Sequence, residues 1–376
     1  MKGLDLCKKY FFECVKPIID EKFSSVYDIN DYYSCALIGW GSDVLRNDDE
    51  FSRDHEWGPR LLIFVDEEHK YAIPELDLLL NKYVPVDFSG FKTRFVFDED
   101  GIRVPYSCTN ENDNKDNKNE NENKGVVNID FFIYDGYIKD FLGVTAPESD
   151  LDWLCIPENK LFEITSGEIF YDANNLLQKK LKVYRDYYPL DIWKYRLAYL
   201  WENISWDIDT IGLLRKRGNI ISEKIAVYKT VMPIIKLISA YNRKYSPSYC
   251  KHIGTEFYKL PYISNETGIL IEECLKTDDV AKIKSNLETI IENLIVFHNS
   301  YSELPKIYAE KPKSIIGRGF WDIDCQKIAG AIHESIDSES DLKKIPLYGA
   351  ADQFVTNEDF LIVPELLKKL NGVYKI

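Results

Sequence analysis

The spacing of apolar residues changes once along the chain, and that change limits the fold more than any other feature. Before about residue 150 they fall in short unbroken runs, YSCALIGW at 33–40, LLIFV at 61–65 and VVNIDFFIYDG at 126–136, while FKTRFVF at 91–97 alternates. Runs of this length bounded by turn residues read as strands. From about residue 174 helical spacing takes over, across 174–186, 189–205, 222–243, 268–274, 278–299, 322–336 and 363–371. Breakers such as Tyr188-Pro189, Gly218-Asn219, Ser246-Pro247 and Leu260-Pro261 separate these stretches. Strands first and helices after predict an α+β chain, with an α/β domain over 1–150 and a mostly helical domain over 151–376.

Two further helices belong to the first domain, one over 3–20 with an apolar face, the other near 77–83. Residues 109–124, TNENDNKDNKNENENK, hold almost nothing apolar and cannot offset their ordering entropy, which predicts a flexible surface loop. The loop interrupts the domain without ending it, because the apolar run at 126–136 follows. LDWLCIPENKLFEITSGEIFYD at 151–172 reads as short strand-like or irregular pieces.

Charge narrows the class of ligand. The 376 residues carry 47 basic and 62 acidic side chains, a formal charge of −15. A long nucleic-acid groove needs clustered cations to neutralise phosphates, so a small phosphate-bearing ligand in a local positive pocket fits better. The eight cysteines form no C-x-x-C and have no His at zinc-finger spacing, and no apolar run is long enough to span a membrane. A cytoplasmic chain with reduced thiols is the expectation.

The stretch most specific to chemistry is Leu37 to Val65. Gly41-Ser42 follows the first strand at a strand-to-helix turn, where Gly permits close approach to a phosphate and Ser adds a donor. After eleven intervening residues come Asp54 and Glu56, leading into LLIFV. On an extended chain i and i+2 point to one face, about 6.5–7 Å apart, which suits shared binding of a hard divalent ion. Asp130 sits inside an otherwise apolar strand and needs a cation or donors nearby. If its strand lies beside the Asp54–Glu56 segment, the three acids could hold two Mg²⁺ (or Mn²⁺) ions about 3.5–4 Å apart. His55 points to the opposite face of a regular strand, and Asp43, Asp48, Asp49 and Glu50 are expected to be solvated turn or cap acids.

The order G-S, eleven residues, D-x-E, then a later strand Asp resembles the polymerase-beta-like nucleotidyltransferase superfamily. Within it, GWGSDVLRNDDEFSRDHEWGPRL is similar to an uncharacterised bacterial family described as a domain of unknown function. RDYYPLDIWKYRLAYLWENI at 185–204 and YNRKYSPSYCKHIGTEFYKLP at 241–261 look like the helical-domain motifs of that family. The resemblance implies a small mixed-sheet nucleotidyltransferase domain with flanking helices, followed by an α-helical bundle domain. It also implies a metal-dependent transfer of a nucleoside monophosphate from an NTP to a hydroxyl acceptor, with release of pyrophosphate. It makes Gly41 and Ser42 the phosphate-holding turn, and Asp54, Glu56 and Asp130 the metal ligands, with Asp130 a candidate base. His55 stands where the superfamily usually has an apolar residue, and Gly58-Pro59 interrupts a usually continuous strand.

A triphosphate needs cations besides Mg²⁺. Arg60, near the acids, and Arg243 and Lys251, in the second helical motif, are the candidate nucleotide contacts. Tyr187, Tyr188, Trp193 and Tyr195 are expected in the bundle core. Net acidity favours a small-molecule acceptor over RNA or protein. The alternatives are a non-catalytic nucleotide- or partner-binding module on the same fold and, third, a toxin–antitoxin component.

Overall fold

Two of the apolar runs become strands buried along their whole length. β1 (Tyr33–Ile38) and β2 (Leu61–Val65) pair antiparallel, with Cys35 opposite Ile63. In this computed structural model the residues described are 1–24, 32–53, 56–99, 101–106, 125–208, 210–308, 324–355, 357–361 and 363–374. The tract at 109–124 lies outside them. Two short ladders follow β2: β3 (Asp87–Phe88) pairs with β4 (Phe91–Lys92), and β5 (Arg94–Phe97) lies between β6 (Arg103–Pro105) and β7 (Val126–Val127). The main sheet is completed by β8 (Ile129–Ile133) and β9 (Gly167–Asp172), in the order β8-β2-β1-β9. β8 runs parallel to β2 and β9 antiparallel to β1, which makes the sheet mixed. The architecture is α+β, with the helices concentrated in the C-terminal part.

Period-two alternation sorts the sheet into two faces. Tyr33, Cys35 and Leu37 of β1, Leu61, Ile63 and Val65 of β2 and Ile129 of β8 pack into one core. The helix Gly3–Tyr10, continued in wider turns to Phe23, and the helix Ile73–Tyr83 cover that face with Leu4, Phe11, Leu76 and Leu80. The opposite face carries Ile38, Leu62, Asn128, Asp130 and Phe132. On β9 both Phe170 and Tyr171 reach the first core, because a one-residue shift against Cys35 and Ala36 breaks the alternation.

Compact packing divides the chain into two units. One comprises Met1–Phe141 and Glu163–Arg185, the other Leu142–Phe162 and Asp186–Ile376. Residues 163–185 lie beyond the boundary expected near 150, yet belong to the first unit because β9 completes the edge of its sheet. The stretch at 151–172, read as short strand-like or irregular pieces, is strand only over its last six residues, β9. It forms helices Asp150–Cys155 and Glu158–Thr165 before β9. Ser149 starts the first of these through a capping box with Asp152, a signal the apolar pattern hides. The run at 126–136 also stops being strand at Ile133, and a helix spans Tyr134–Leu142.

In the second unit the helix Leu190–Ile208 packs against Ile220–Tyr241 and Cys325–Glu334. Tyr187, Tyr188, Trp193 and Tyr195 are buried there as expected. Arg196 is buried between Glu158 and Asp352, at 2.8 and 3.2 Å, and Lys236 lies 4.0 Å from Asp352 as a second cation. A second chain of polar groups runs from Trp201 Nε1 to Tyr241 Oη (2.7 Å), on to His298 Nδ1 (2.8 Å), and from His298 Nε2 to the Pro305 carbonyl (2.8 Å). The indole and the carbonyl fix its direction, so Tyr241 donates to Nδ1 and Nε2 carries the proton. Seven described cysteines are free thiols, all buried except Cys250. Among the described residues no helix is long and apolar enough to cross a membrane.

Burial holds His298 below its ordinary pKa near 6.5. The unfolded chain therefore binds the proton first, and the stability from neutral His298 is present above about pH 6.5 and lost as pH falls below it. His252, lowered by burial and by Lys251, adds to the same slope. The denaturation midpoint should drop between pH 7 and 5, and His298→Gln should flatten that dependence without removing it. An unchanged slope would contradict the buried neutral relay.

Candidate functional site

The sheet face opposite the first core opens into a cavity of about 320 Å³, within the size range of small-ligand pockets. Trp40, Glu56, Arg60, Arg103, Asn128 and Asp130 are its polar and aromatic lining, with Asp140 and Tyr137 from the helix Tyr134–Leu142. β8 places Asp130 and Phe132 here, and Asn128 just before it continues the alternation, because Asp130 pairs in register with Leu62 and the Asn128 carbonyl accepts Leu61 N–H at 3.1 Å.

Gly41 and Ser42 follow β1 as expected, but the turn does not open a helix. Residues 42–46 form successive turns in which Asn47 and Asp48 N–H both donate to the Ser42 carbonyl, at 2.8 and 3.1 Å. An oriented helix N-terminus is therefore not the source of any phosphate affinity at this turn. Gly41 has φ +131°, and an added Cβ would lie 2.4 Å from Asp43 Oδ1 and 2.5 Å from Arg60 Nη2. Only glycine fits that close approach.

The acids after Ser42 are structural in a way the sequence hid. Asp43 and Asp48 are buried, against the expectation of solvated turn acids. Asp43 accepts from Arg60 Nε and Nη2, both at 2.8 Å, and Asp48 accepts from Gly3 N–H (2.8 Å) and Trp57 Nε1 (3.0 Å). These bonds tie the Gly41–Ser42 turn to the first helix and to the chain entering β2. Asp49 does cap the short turn Glu50–Ser52, accepting Phe51 N–H. Cys7 bridges the same region, with the Gly58 carbonyl at 3.3 Å and Arg60 N–H at 3.4 Å from its sulfur. Burial, helped by Asp43, pushes its thiol up to about 12, so it acts here as a neutral packing group.

Arg60 lines the cavity, but Asp43 and the Trp40 carbonyl (3.0 Å) take its Nε and Nη2. Burial opposes its charge, and Asp43 more than restores it, leaving the guanidinium with a raised pKa. Glu56 also lines the cavity, though not from a strand. Its φ is +53°, its N–H donates to the Arg103 carbonyl at 2.9 Å, and β2 begins only at Leu61. Gly58 at φ +149° and Pro59, which lacks an N–H, break the extended path that the i, i+2 argument needed. Asp54 and His55 lie outside the described residues.

Asp130 is held by a partner that the sequence did not single out. Arg103, on β6, donates from Nη1 to Asp130 Oδ2 (3.1 Å) and from Nη2 to Oδ1 (3.0 Å). The pairing spans 27 positions and carries no local signal in the sequence. Arg243 and Lys251 belong to the second unit and are not among the residues lining the cavity. Arg243 stacks 3.4 Å from the Trp193 ring centre and meets Glu303 at 3.7 Å, while Lys251 is exposed in the first turn of the helix Cys250–Tyr258. Among the described residues no three His, Cys, Asp or Glu side chains gather as a metal-binding group.

Residues 153–251 match the model of a family described as a domain of unknown function (DUF4037). No curated protein matches the chain. Among solved structures it is similar to a nucleotidyltransferase-like protein from Exiguobacterium sibiricum 255-15, at 9% identity and a TM-score of 0.30 over 85% of this chain and 89% of that one. That likeness is too low to carry a conclusion about function.

The Asp43–Arg60 pair makes a stability prediction. Arg60→Met leaves Asp43 buried without its partner and should lower unfolding stability by about 3–5 kcal/mol in denaturant titration. Adding Asp43→Asn should recover part of that loss. A residue serving only a ligand would leave stability unchanged.

Proposed function

We propose that the first unit is a nucleotidyltransferase site, transferring a nucleoside monophosphate from an NTP to the hydroxyl of a small acceptor and releasing pyrophosphate. The observation that carries the reading is the cavity itself. Glu56 and Asp130, two of the acids singled out by the sequence motif, line one pocket with Arg60 and Arg103 beside the Gly41–Ser42 turn. Oxygen donors of this kind suit Mg²⁺ or Mn²⁺, so the residues present fit a divalent ion. Asp54 joins them on the motif spacing alone.

In this reading Glu56 and Asp130 would hold the metal, and Asp130 would also receive the proton of the acceptor hydroxyl. The hydroxyl oxygen forms the new bond to the α-phosphorus, and the bond from that phosphorus to the pyrophosphate oxygen breaks. Bound metal would supply charge stabilisation on the phosphate oxygens. Gly41 lets the backbone come close to the phosphates, and Arg60 holds the turn that presents it. The net charge of −15 favours a cationic or neutral small acceptor over RNA. Arg243, engaged by Trp193 and Glu303, and Lys251 lie in the second unit.

A second reading is a non-catalytic nucleotide- or partner-binding module, and the Arg103–Asp130 pair favours it, since that acid already has a structural partner. Calorimetry of each NTP with and without Mg²⁺, alongside pyrophosphate release with candidate acceptors, separates the two. Loss of groups around a metal ligand costs about 10–100-fold, so Asp130→Asn and Glu56→Gln should each lower turnover at least about 100-fold. NTP binding that ignores metal and both substitutions would remove the enzyme reading.

A further inference from the structure

The polar side of the cavity contains a cationic element that the motif does not explain. Arg103 grips Asp130 through both Nη atoms, and its Nη1 also donates to Asn128 Oδ1 at 2.6 Å. Its guanidinium lies 5.3 Å from the centre of the Phe97 ring. Two donors in this cluster, Arg103 Nε and Asn128 Nδ2, are buried without an acceptor among the described residues, and Asn128 is only 3% exposed. Buried donors left in this state are uncommon, because each forfeits its hydration with no return. The backbone register of β8 beside Leu61 fixes Asn128, so its amide cannot retreat to solvent.

The other cation of the cavity is already committed. Arg60 is matched by Asp43, which lies behind it and is buried. Among the described residues Arg103 is matched by Asp130 alone, whose side chain is 41% exposed. A carboxylate gripped by both Nη atoms has the same planar, two-oxygen geometry that a guanidinium uses on phosphate. We propose that Arg103 and Asn128 form a polyphosphate subsite, and that Asp130 competes with phosphate for the Arg103 guanidinium. The proposal rests on the nucleotide reading of this cavity and names a positioning residue within it.

The pairing has a thermodynamic consequence. A polyphosphate that takes Arg103 releases Asp130, and a divalent ion that takes Asp130 releases Arg103. Each ligand therefore removes a competitor of the other, and the coupling is reciprocal. The ion pair keeps Asp130 from binding metal alone, which favours metal arriving with the nucleotide.

The test measures the two ligands separately. Inorganic pyrophosphate is titrated in EDTA, and Mn²⁺ is titrated without phosphate, following free Mn²⁺ by electron paramagnetic resonance. Arg103→Met should weaken pyrophosphate at least about tenfold, the loss expected for one charge-assisted bond, and should tighten Mn²⁺. Asp130→Asn should do the reverse, tightening pyrophosphate and weakening Mn²⁺, and it carries the test if Arg103→Met does not fold. Arg103→Lys keeps the charge without the fork and should fall between wild type and Arg103→Met. Loss of both ligands in folded Arg103→Met, no change in either, or wild type that does not bind pyrophosphate would each overturn the subsite. If pyrophosphate binding ignores Arg103 while Mg²⁺–NTP binding needs Glu56 and Asp130, the subsite falls and the enzyme reading stands. If pyrophosphate follows Arg103 but no NTP is turned over, the subsite stands and the enzyme reading falls.

Discussion

The position of β2 between β1 and β8 governs the first unit. Both neighbours are set by backbone ladders, one antiparallel and one parallel, so the side chains of three strands alternate in phase. One phase faces the helices Gly3–Tyr10 and Ile73–Tyr83 and makes the core. The other presents Ile38, Leu62 and the sequence Asn128, Asp130, Phe132 to the cavity. A slip of one residue in β8 would send Asp130 into the apolar core and Ile129 to the pocket. The burial of a charge that such a slip requires is a strong guard on the register.

Charge in this acidic chain is distributed by burial. Asp43 and Asp48 are spent on fastening the turn after β1, the first against Arg60 and the second against Gly3 and Trp57. That leaves Glu56, Asp130 and Asp140 as the acids lining the cavity, with Arg103 paired to the part-exposed Asp130. The second unit follows the same rule. Arg196 is enclosed with Glu158 and Asp352, and the relay from Trp201 to Pro305 satisfies a buried histidine in its neutral form.

Much of this was legible. LLIFV is β2 residue for residue, YSCALI is β1, and the helices at 190–208, 220–241 and 280–298 follow the apolar spacing closely. Glu56 and Asp130 were picked out by residue type and order, and both line one pocket. The misreadings have local causes. At Glu56 the extended chain gives way to a positive φ ahead of Gly58-Pro59, and at 150–165 a capping box turned an irregular-looking stretch into helices. Asp43 and Asp48 looked like solvated turn acids because nothing nearby in sequence announces Arg60 or the N-terminus of the first helix as their partners.

By itself the sequence determined which segments are strands and which are helices, since apolar spacing is a local property that each element must satisfy to bury a face. It also determined the types of group available at the site: a glycine-serine turn, spaced acids and a strand aspartate. Tertiary structure alone decided how those groups are committed. Asp43 went to Arg60 and Asp130 to Arg103 because partners 17 and 27 positions apart meet only when the ladders form, and a carboxylate's role is set by the charge it faces.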